Sequence, residues 1–229
     1  MRGRYDQAIE LFVEQERICR EIGDWDQLAY ALTNQGAALF EQRDVGRAMT
    51  LNREAAEVAR ATGNKRVLAF ILGNEATILM ARREFDQAMT LLEEQERISR
   101  ELGDMDALQF SLGRQATILG IARRDTERVM SLLKEQERIC RDCGSRLGLA
   151  AAIYEQGGVY GLMGRPLKAL CCWLKAYWIV SRHGYVAKAR VLRRNLLRQV
   201  ALLPLFTAIC WIEAVVRLLV RESAPWSRK

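Results

Sequence analysis

The chain has 229 residues, of which 28% are charged and 50% hydrophobic, proportions typical of a globular protein with one domain or a short array. Its formal net charge of +7 is unevenly distributed: residues 166–229 contain 12 Lys and Arg against 2 acidic residues, and the other 165 residues contain 23 against 26. Most of the chain therefore lacks the basic stripe of a long nucleic-acid-binding surface, and no nucleic-acid partner is expected.

The sequence favours helices over strands and gives no sign of secretion. Three prolines in the whole chain favour helix, and no stretch alternates apolar and polar residues as a half-buried strand would. The sequence enters helical periodicity without an apolar signal segment, so a cytoplasmic location is expected. The six cysteines are then expected to be reduced thiols.

One stretch recurs along the chain. LLEEQERISRELGD, from Leu91 to Asp104, returns at Leu11–Asp24 and Leu132–Ser145, with a weaker copy at Leu51–Asn64. The copies close on glycines spaced 40, 40, 41 and 40 residues apart: Gly23, Gly63, Gly103, Gly144 and Gly184. Self-similarity at such a period is typical of a solenoid, in which each unit packs on its neighbours.

Each period is predicted to form two helices. In the second period they cover Lys65–Ala81 and Phe85–Leu102, each with apolar residues three and four apart. The closing glycine can end a helix in the left-handed conformation, and the following Asp, Asn or Ser can cap the next helix. Because the chain begins with a second helix, its first face is expected to be open. Three explanations are open: the chain is a fragment of a longer protein, its start is misassigned, or another element covers this face. Self-association of the chain through the open face is a further alternative.

The hairpins resemble the tetratricopeptide repeat (TPR), in its longer form of about 40 residues found in kinesin light chains and bacterial signalling proteins. The first-helix positions of the motif are Leu32, Gly36, Leu39; Leu72, Ala76, Leu79; Leu112, Ala116, Leu119; and Ile153, Gly157, Tyr160. The second-helix positions are Ala48, Asn52, Ala55; Ala88, Leu92, Gln95; Val129, Leu133, Gln136; and Ala169, Trp173, Ala176. The period of 40 rather than 34 and the polar Asn52, Gln95 and Gln136 depart from the motif. HEAT-like repeats share the period, but the small residues favour the TPR.

The resemblance implies an all-α, right-handed superhelical solenoid of antiparallel helix pairs, with about four and a half hairpins over residues 1–200. Residues 201–229 form a separate apolar and basic segment. The uncharged core of Ala201–Val220 is too short to span a bilayer, and this segment is predicted to be a C-terminal capping helix that covers the last repeat. Two alternatives are an interfacial helix on a membrane surface and an unrelated tail from a shifted reading frame.

No catalytic constellation is found. The single histidine, His183, precedes a glycine at a helix end, where a cation would complement the helix dipole. Cys140 and Cys143 have metal-knuckle spacing, but no second pair completes a site. The carboxylates of the EQER runs are interpreted as solvated partners of arginines, with Glu94 and Glu96 paired to Arg97 and Arg100. No enzyme activity, cofactor or metal is predicted.

In the TPR family the first helices line a groove that holds a peptide or a partner helix, and the groove positions of this chain form three rows. An aromatic row has Tyr30, Phe70 and Phe110; an amide row has Asn34, Asn74 and Asn195, with Arg114 and Glu155 interrupting it; a third has Ala37, Thr77, Thr117 and Gly158. In longer repeats of the family, asparagines at the positions of this amide row clamp a peptide backbone. The aromatic row is equally explained by packing between first helices.

These features favour a non-catalytic scaffold that binds a protein or peptide in the groove. Two alternatives are the sensor or regulatory part of a larger bacterial signalling ATPase, and a peripheral membrane adaptor held by Ala201–Val220.

Overall fold

The computed structural model describes residues 2–121, 125–183, 185, 189, 191 and 192. Over these residues the chain forms nine α-helices and no strand. The helices are α1 (Arg2–Ile22), α2 (Trp25–Glu41), α3 (Val45–Thr62), α4 (Lys65–Ala81), α5 (Phe85–Leu102), α6 (Met105–Ile121), α7 (Thr126–Asp142), α8 (Arg146–Leu162) and α9 (Pro166–Arg182). The predicted boundaries of α4 and α5 are confirmed. The predicted cap, Ala201–Val220, lies outside the described residues.

The chain divides into two compact units, Met1–Ala122 with α1–α6 and Arg123–Lys229 with α7–α9. In the first unit each helix packs on the next one, and α4 also contacts both α2 and α6. In the second unit α7 packs on α8 and α8 on α9. The first unit thus carries three neighbouring first helices, α2, α4 and α6, side by side.

The turns between hairpins form as predicted at their glycines. Gly63 ends α3 at φ 69° and Gly103 ends α5 at φ 64°, in the left-handed region that glycine adopts without strain. Asp24 and Asn64 cap the following helices through their side chains. Ser145 occupies the same position before α8, but its side chain forms no capping hydrogen bond, so that predicted cap is wrong.

The motif positions form the core. Leu32, Leu72 and Leu112 are fully buried in the first helices, and Ala48 and Ala88 are fully buried in the second helices. One second-helix position takes a small or β-branched residue in every copy and is buried in each: Cys19, Ala59, Ser99, Cys140 and Val180. Cys140 is therefore a core residue, as its equivalents are.

Glutamines of the first helices join successive hairpins. Gln156 of α8 donates from Nε2 to the carboxylate of Glu137 at 2.6 Å and to the backbone carbonyl of Leu133 at 3.3 Å. Glu137 in turn pairs with Arg141 one helical turn later. The same network links Gln35 with Glu16 and Gln115 with Glu96.

The interpretation of the EQER runs as solvated ion pairs is therefore only partly right. Glu96 pairs with Arg100 as predicted, but its side chain is mostly buried and also accepts a hydrogen bond from Gln115. Arg97 pairs with Glu101, not with a glutamate of the run, and Glu94 lies 4.0 Å from Arg60 of α3. The second glutamate of each run is thus part of the junction between hairpins.

One junction differs from the others. At the second junction, between α3 and α4, Ala56 occupies the position of the glutamate and Glu75 occupies the position of the glutamine. The Glu75 side chain is 13% exposed, and its carboxylate lies 4.0 Å from Nε of Arg53. Burial raises the pKa of Glu75 above its ordinary value, while Arg53 and Arg60 act in the opposite direction. This junction buries a poorly paired carboxylate.

Candidate partner-binding groove

The aromatic row is built by the three first helices of the first unit. Tyr30 lies on α2, Phe70 on α4 and Phe110 on α6. The rings of Tyr30 and Phe70 are 5.4 Å apart between centroids and inclined by 53°, a favourable tilted aromatic contact. Phe70 and Phe110 nevertheless remain 41% and 55% exposed. Tyr30 and Phe70 therefore pack between first helices, and the row still presents apolar surface to solvent.

A cavity of about 430 Å³ opens at this row. Five of the residues predicted for the groove line it together: Tyr30, Phe70, Asn74, Phe110 and Arg114. Six further residues complete the wall without having been predicted: Arg66, Gly73, Gln95, Asp104, Asp106 and Ala107. Three aromatic rings beside a few amide and charged groups give the mixed lining that is typical of binding clefts.

The charges of the cavity are balanced but not all neutralised locally. Arg66 and Arg114 contribute two cations, and Asp104 and Asp106 two anions. Asp104 accepts a hydrogen bond from the backbone N–H of Ala107 and so caps α6. The guanidinium of Arg114 lies over the ring of Phe110 at 5.6 Å, and burial lowers the pKa of Arg114 from its ordinary value. Arg114, which was expected to interrupt the amide row, is thus part of the aromatic wall.

Among the described residues, Asn34, Ala37, Thr77 and Thr117 were also predicted for the groove and are not in the cavity wall. Asn34 and Ala37 lie on α2, and Asn195 lies outside the described residues. The hydroxyls of Thr77 and Thr117 donate to carbonyls of their own helices, Gly73 at 2.8 Å and Gly113 at 2.9 Å.

Asn74 is the only asparagine of the amide row that lines the cavity in the described part of the chain. Its Nδ2 donates to the carbonyl of Phe70 at 3.3 Å, one turn earlier on α4. One N–H of the amide is therefore used within its own helix, and Asn74 can offer its carbonyl oxygen and its second N–H to a ligand.

Gln95 is one of the polar wall residues, with Arg66, Asp104 and Asp106, that sequence reasoning missed as groove residues. It lies on the second helix α5, where family resemblance predicts packing and not binding, and it is 3% exposed. The signal in the sequence was the polar residue itself at an apolar position of the motif. Its neighbour on α4 is Gly73, and a Cβ atom on Gly73 would lie 2.5 Å from Gln95 Nε2.

The other candidate groups show no reactive arrangement. Arg146 contacts the ring of His183, and desolvation and the cations of Arg146 and Arg182 lower the pKa of His183. The expectation that His183 acts as a cation at the end of its helix is therefore not supported. Among the described residues, no group of three or more His, Cys, Asp or Glu side chains is arranged to hold a metal ion.

Over the part of the chain that the structure describes, no helix combines the length and hydropathy needed to cross a membrane.

Several solved structures share this architecture. Aspartyl phosphate phosphatase F from Bacillus subtilis matches with a TM-score of 0.73 and 14% identity, over 96% of this chain and 58% of that one. The STAND protein PH0952 from Pyrococcus horikoshii, which has a tetratricopeptide repeat sensor, matches with a TM-score of 0.67 and 17% identity, over 82% and 30%. BtubC (BKLC) from P. vanneervenii matches with a TM-score of 0.64 and 16% identity, over 86% and 91%.

No family model matches the chain, and no curated protein matches its sequence. At identities of 14–17% the structural likeness defines the fold alone. The chain has the all-α fold of the TPR-like helical repeats, as the sequence predicted.

Proposed function

We propose that the chain is a non-catalytic scaffold that binds a peptide or a partner helix along the first helices of its first unit. The observation that carries the proposal is the cavity, because it gathers Tyr30, Phe70, Asn74, Phe110 and Arg114 from three successive first helices. Exposed aromatic rings beside a few polar groups are the usual anchors of protein recognition.

The helices offer this surface without rearrangement. Phe70 and Phe110 are fixed on α4 and α6, whose opposite faces are buried in the core through Leu72 and Leu112. A ligand then loses freedom on binding while the protein loses little, which favours affinity. An extended peptide and an amphipathic helix can both use such a groove.

The test uses a random-peptide library selected against the full chain. A selected peptide is expected to bind the double variant Phe70→Ala/Phe110→Ala at least about tenfold more weakly, because truncating aromatic anchors typically costs more than 1 kcal/mol each. Leu162→Ala is the matched control, since Leu162 is an exposed apolar residue on α8 that does not line the cavity. Equal affinity for wild type and the double variant would refute the proposal.

The amide row is tested separately with Asn34→Ala/Asn74→Ala. Of these two residues only Asn74 lines the cavity, so nearly all of any loss is expected to come from Asn74→Ala alone. A loss that requires Asn34→Ala would instead support the complete amide clamp that the family resemblance implies.

A second proposal is that the chain acts as the sensor part of a larger signalling ATPase. It is favoured by the fold shared with the STAND protein PH0952, of which this chain matches 30%. An antibody against the chain is expected to detect a native protein well above 26.1 kDa in its source cells. A native band at 26.1 kDa would contradict this proposal and leave peptide binding unaffected.

We also propose that the open face of α1 associates with a second copy of the chain. Ile18 is 42% exposed on α1, whereas its equivalents Ile98 and Ile139 are 2% and 4% exposed. Leu11 and Ile22 are exposed on the same helix. Light scattering is expected to give a concentration-dependent dimer that Leu11→Glu/Ile18→Glu disrupts, and a monomer at every concentration would refute it.

A further inference from the structure

One side of α9 carries a row of cations that the structure leaves exposed. Lys168, Lys175 and Arg182 recur every seven residues, with Cys171 and Trp178 between them. This alternating spacing of three and four places the five side chains along one side of the helix, which we call the basic face. The three cations are exposed, and the opposite side of α9 is buried in the core through alanines, leucines and a valine. Because α9 contains no Asp or Glu, nothing on the helix itself neutralises the basic face.

The other second helices have the opposite charge at these positions. The equivalents of Lys175 are Glu14, Glu54, Glu94 and Glu135, and those of Arg182 are Glu21, Ala61, Glu101 and Asp142. In α1 the residue between the two acids is Arg17, which pairs with Glu14 at 2.6 Å and with Glu21 at 2.5 Å. Trp178 takes the place of that arginine in α9. A self-neutralised surface in α1 is thus a basic and aromatic one in α9.

Lys175 also replaces one partner of an ion pair between hairpins. Arg20 of α1 pairs with Glu54 of α3 at 2.6 Å. The equivalent positions in the second unit hold Arg141 and Lys175, which are both cations. Stability of the repeat array therefore does not explain a cation at this position, since the glutamate found in the other second helices would supply an ion pair.

Aromatic rings hold two cations of the basic face. The guanidinium of Arg182 lies over the ring of Trp178, 5.1 Å from its centroid, and the ammonium of Lys168 lies 5.7 Å from the ring centroid of Tyr160 on α8. A cation–π contact orients a cation without cancelling its charge. Among the described residues the three cations form no ion pair, so they are available to an external anion.

The composition of this end of the chain narrows the class of anion. Residues 166–229 contain 12 Lys and Arg against 2 acidic residues, so the positive charge extends well beyond one helix. Lys is depleted at the cores of protein–protein interfaces, whereas Lys and Arg beside Trp are typical of helices that lie on anionic membranes. Trp is also enriched where membrane meets water. These properties favour an anionic lipid surface over an acidic protein segment.

We propose that the basic face of α9 binds the headgroups of an anionic membrane surface, with Trp178 at the interface and Lys168, Lys175 and Arg182 against the lipid phosphates and carboxylates. The helix lies on the surface, because its other side is committed to the protein core. This contact uses neither the cavity residues nor Ala201–Val220, so the inference does not rest on peptide binding.

The experiment measures binding of the full chain to vesicles by co-sedimentation. Wild type is expected to bind phosphatidylcholine vesicles that contain about 30% phosphatidylserine and to bind pure phosphatidylcholine far more weakly. Binding should fall steeply as salt is raised towards about 1 M, because salt screens the charges. Lys175→Glu/Trp178→Arg/Arg182→Glu reproduces the Glu, Arg and Glu of α1 and α5 on α9 and is therefore expected to fold. It should bind at least about tenfold more weakly, since each cation near an anionic surface contributes about fivefold.

Two further variants serve as controls. Arg47→Glu/Arg97→Glu lowers the net charge at least as much, at arginines that are 73% and 61% exposed on α3 and α5, and is expected to keep most of the wild-type affinity. Lys175→Gln/Arg182→Gln removes two cations without adding acids and is expected to lose about tenfold. It decides the question if circular dichroism shows that the triple variant is unfolded.

Three results would overturn the inference. The first is equal binding to vesicles with and without phosphatidylserine, or equal affinity of wild type and the α9 variants for the anionic vesicles. The second is an equal loss in Arg47→Glu/Arg97→Glu, which would show a response to net charge alone. The third is no vesicle binding together with binding to polyglutamate that the α9 variants abolish, which would indicate an acidic protein partner instead.

Discussion

The junction between α7 and α8 allows a quantitative test of what holds successive hairpins together. Gln156 is buried and donates to Glu137 at 2.6 Å and to the Leu133 carbonyl at 3.3 Å. A hydrogen bond to a charged group contributes about 1.5–3 kcal/mol to stability. Glu137 keeps its pairing with Arg141 and some contact with water, so we expect the lower end of that range, about 1.5 kcal/mol, for Gln156→Met.

The assay is urea unfolding followed by far-ultraviolet circular dichroism, for wild type, Gln156→Met, Glu137→Gln and the double variant. Because the two side chains share a hydrogen bond, their effects are expected to be non-additive by about 1 kcal/mol. Gln156→Met keeps the side-chain volume nearly constant, which removes a cavity as the cause. Additive effects, or a change below about 0.5 kcal/mol for Gln156→Met, would refute the role of this glutamine.

Three further substitutions test other features of the fold by urea unfolding. Glu75→Gln is expected to stabilise the protein at pH 7, because a carboxyl group whose pKa is raised by folding opposes folding when it is ionised. The gain in stability should shrink as the pH falls towards the ordinary Glu pKa of 4.5, and a gain that grows there would contradict this explanation. Asn52→Leu is expected to add about 1 kcal/mol by removing an unpaired buried carbonyl, and a loss would show that the Asn52 amide is satisfied. Gly63→Ala, at φ 69°, is expected to cost about 1 kcal/mol, whereas Gly46→Ala inside α3, with open space around it, should stabilise; effects of the same sign would contradict the conformational argument.

The helical hairpins could be predicted from the sequence because their signals are local. The apolar spacing of α4 and α5 and the glycines at 63 and 103 are each explained by the geometry of a single helix or turn. The aromatic row could be predicted as well, since a repeat of 40 residues places Tyr30, Phe70 and Phe110 at equivalent positions.

Contacts between helices were less predictable, because they depend on which side chains meet across a junction. The EQER runs looked like solvated faces, and nothing within one run shows that Gln115 of the next helix donates to Glu96. The cavity likewise depends on how closely Gly73 of α4 and Gln95 of α5 approach each other, and the helical period of a sequence does not give that distance. The polar Gln95 at an apolar motif position was the available sign of the cavity.

Peptide binding at the cavity is the central claim, and calorimetric titration of a selected peptide into wild type and Phe70→Ala/Phe110→Ala tests it most directly. We predict a loss of at least about tenfold in affinity for the variant, with an unchanged circular dichroism spectrum and wild-type affinity for Leu162→Ala. Equal affinities for wild type and Phe70→Ala/Phe110→Ala would contradict the claim and place the binding surface elsewhere on the chain.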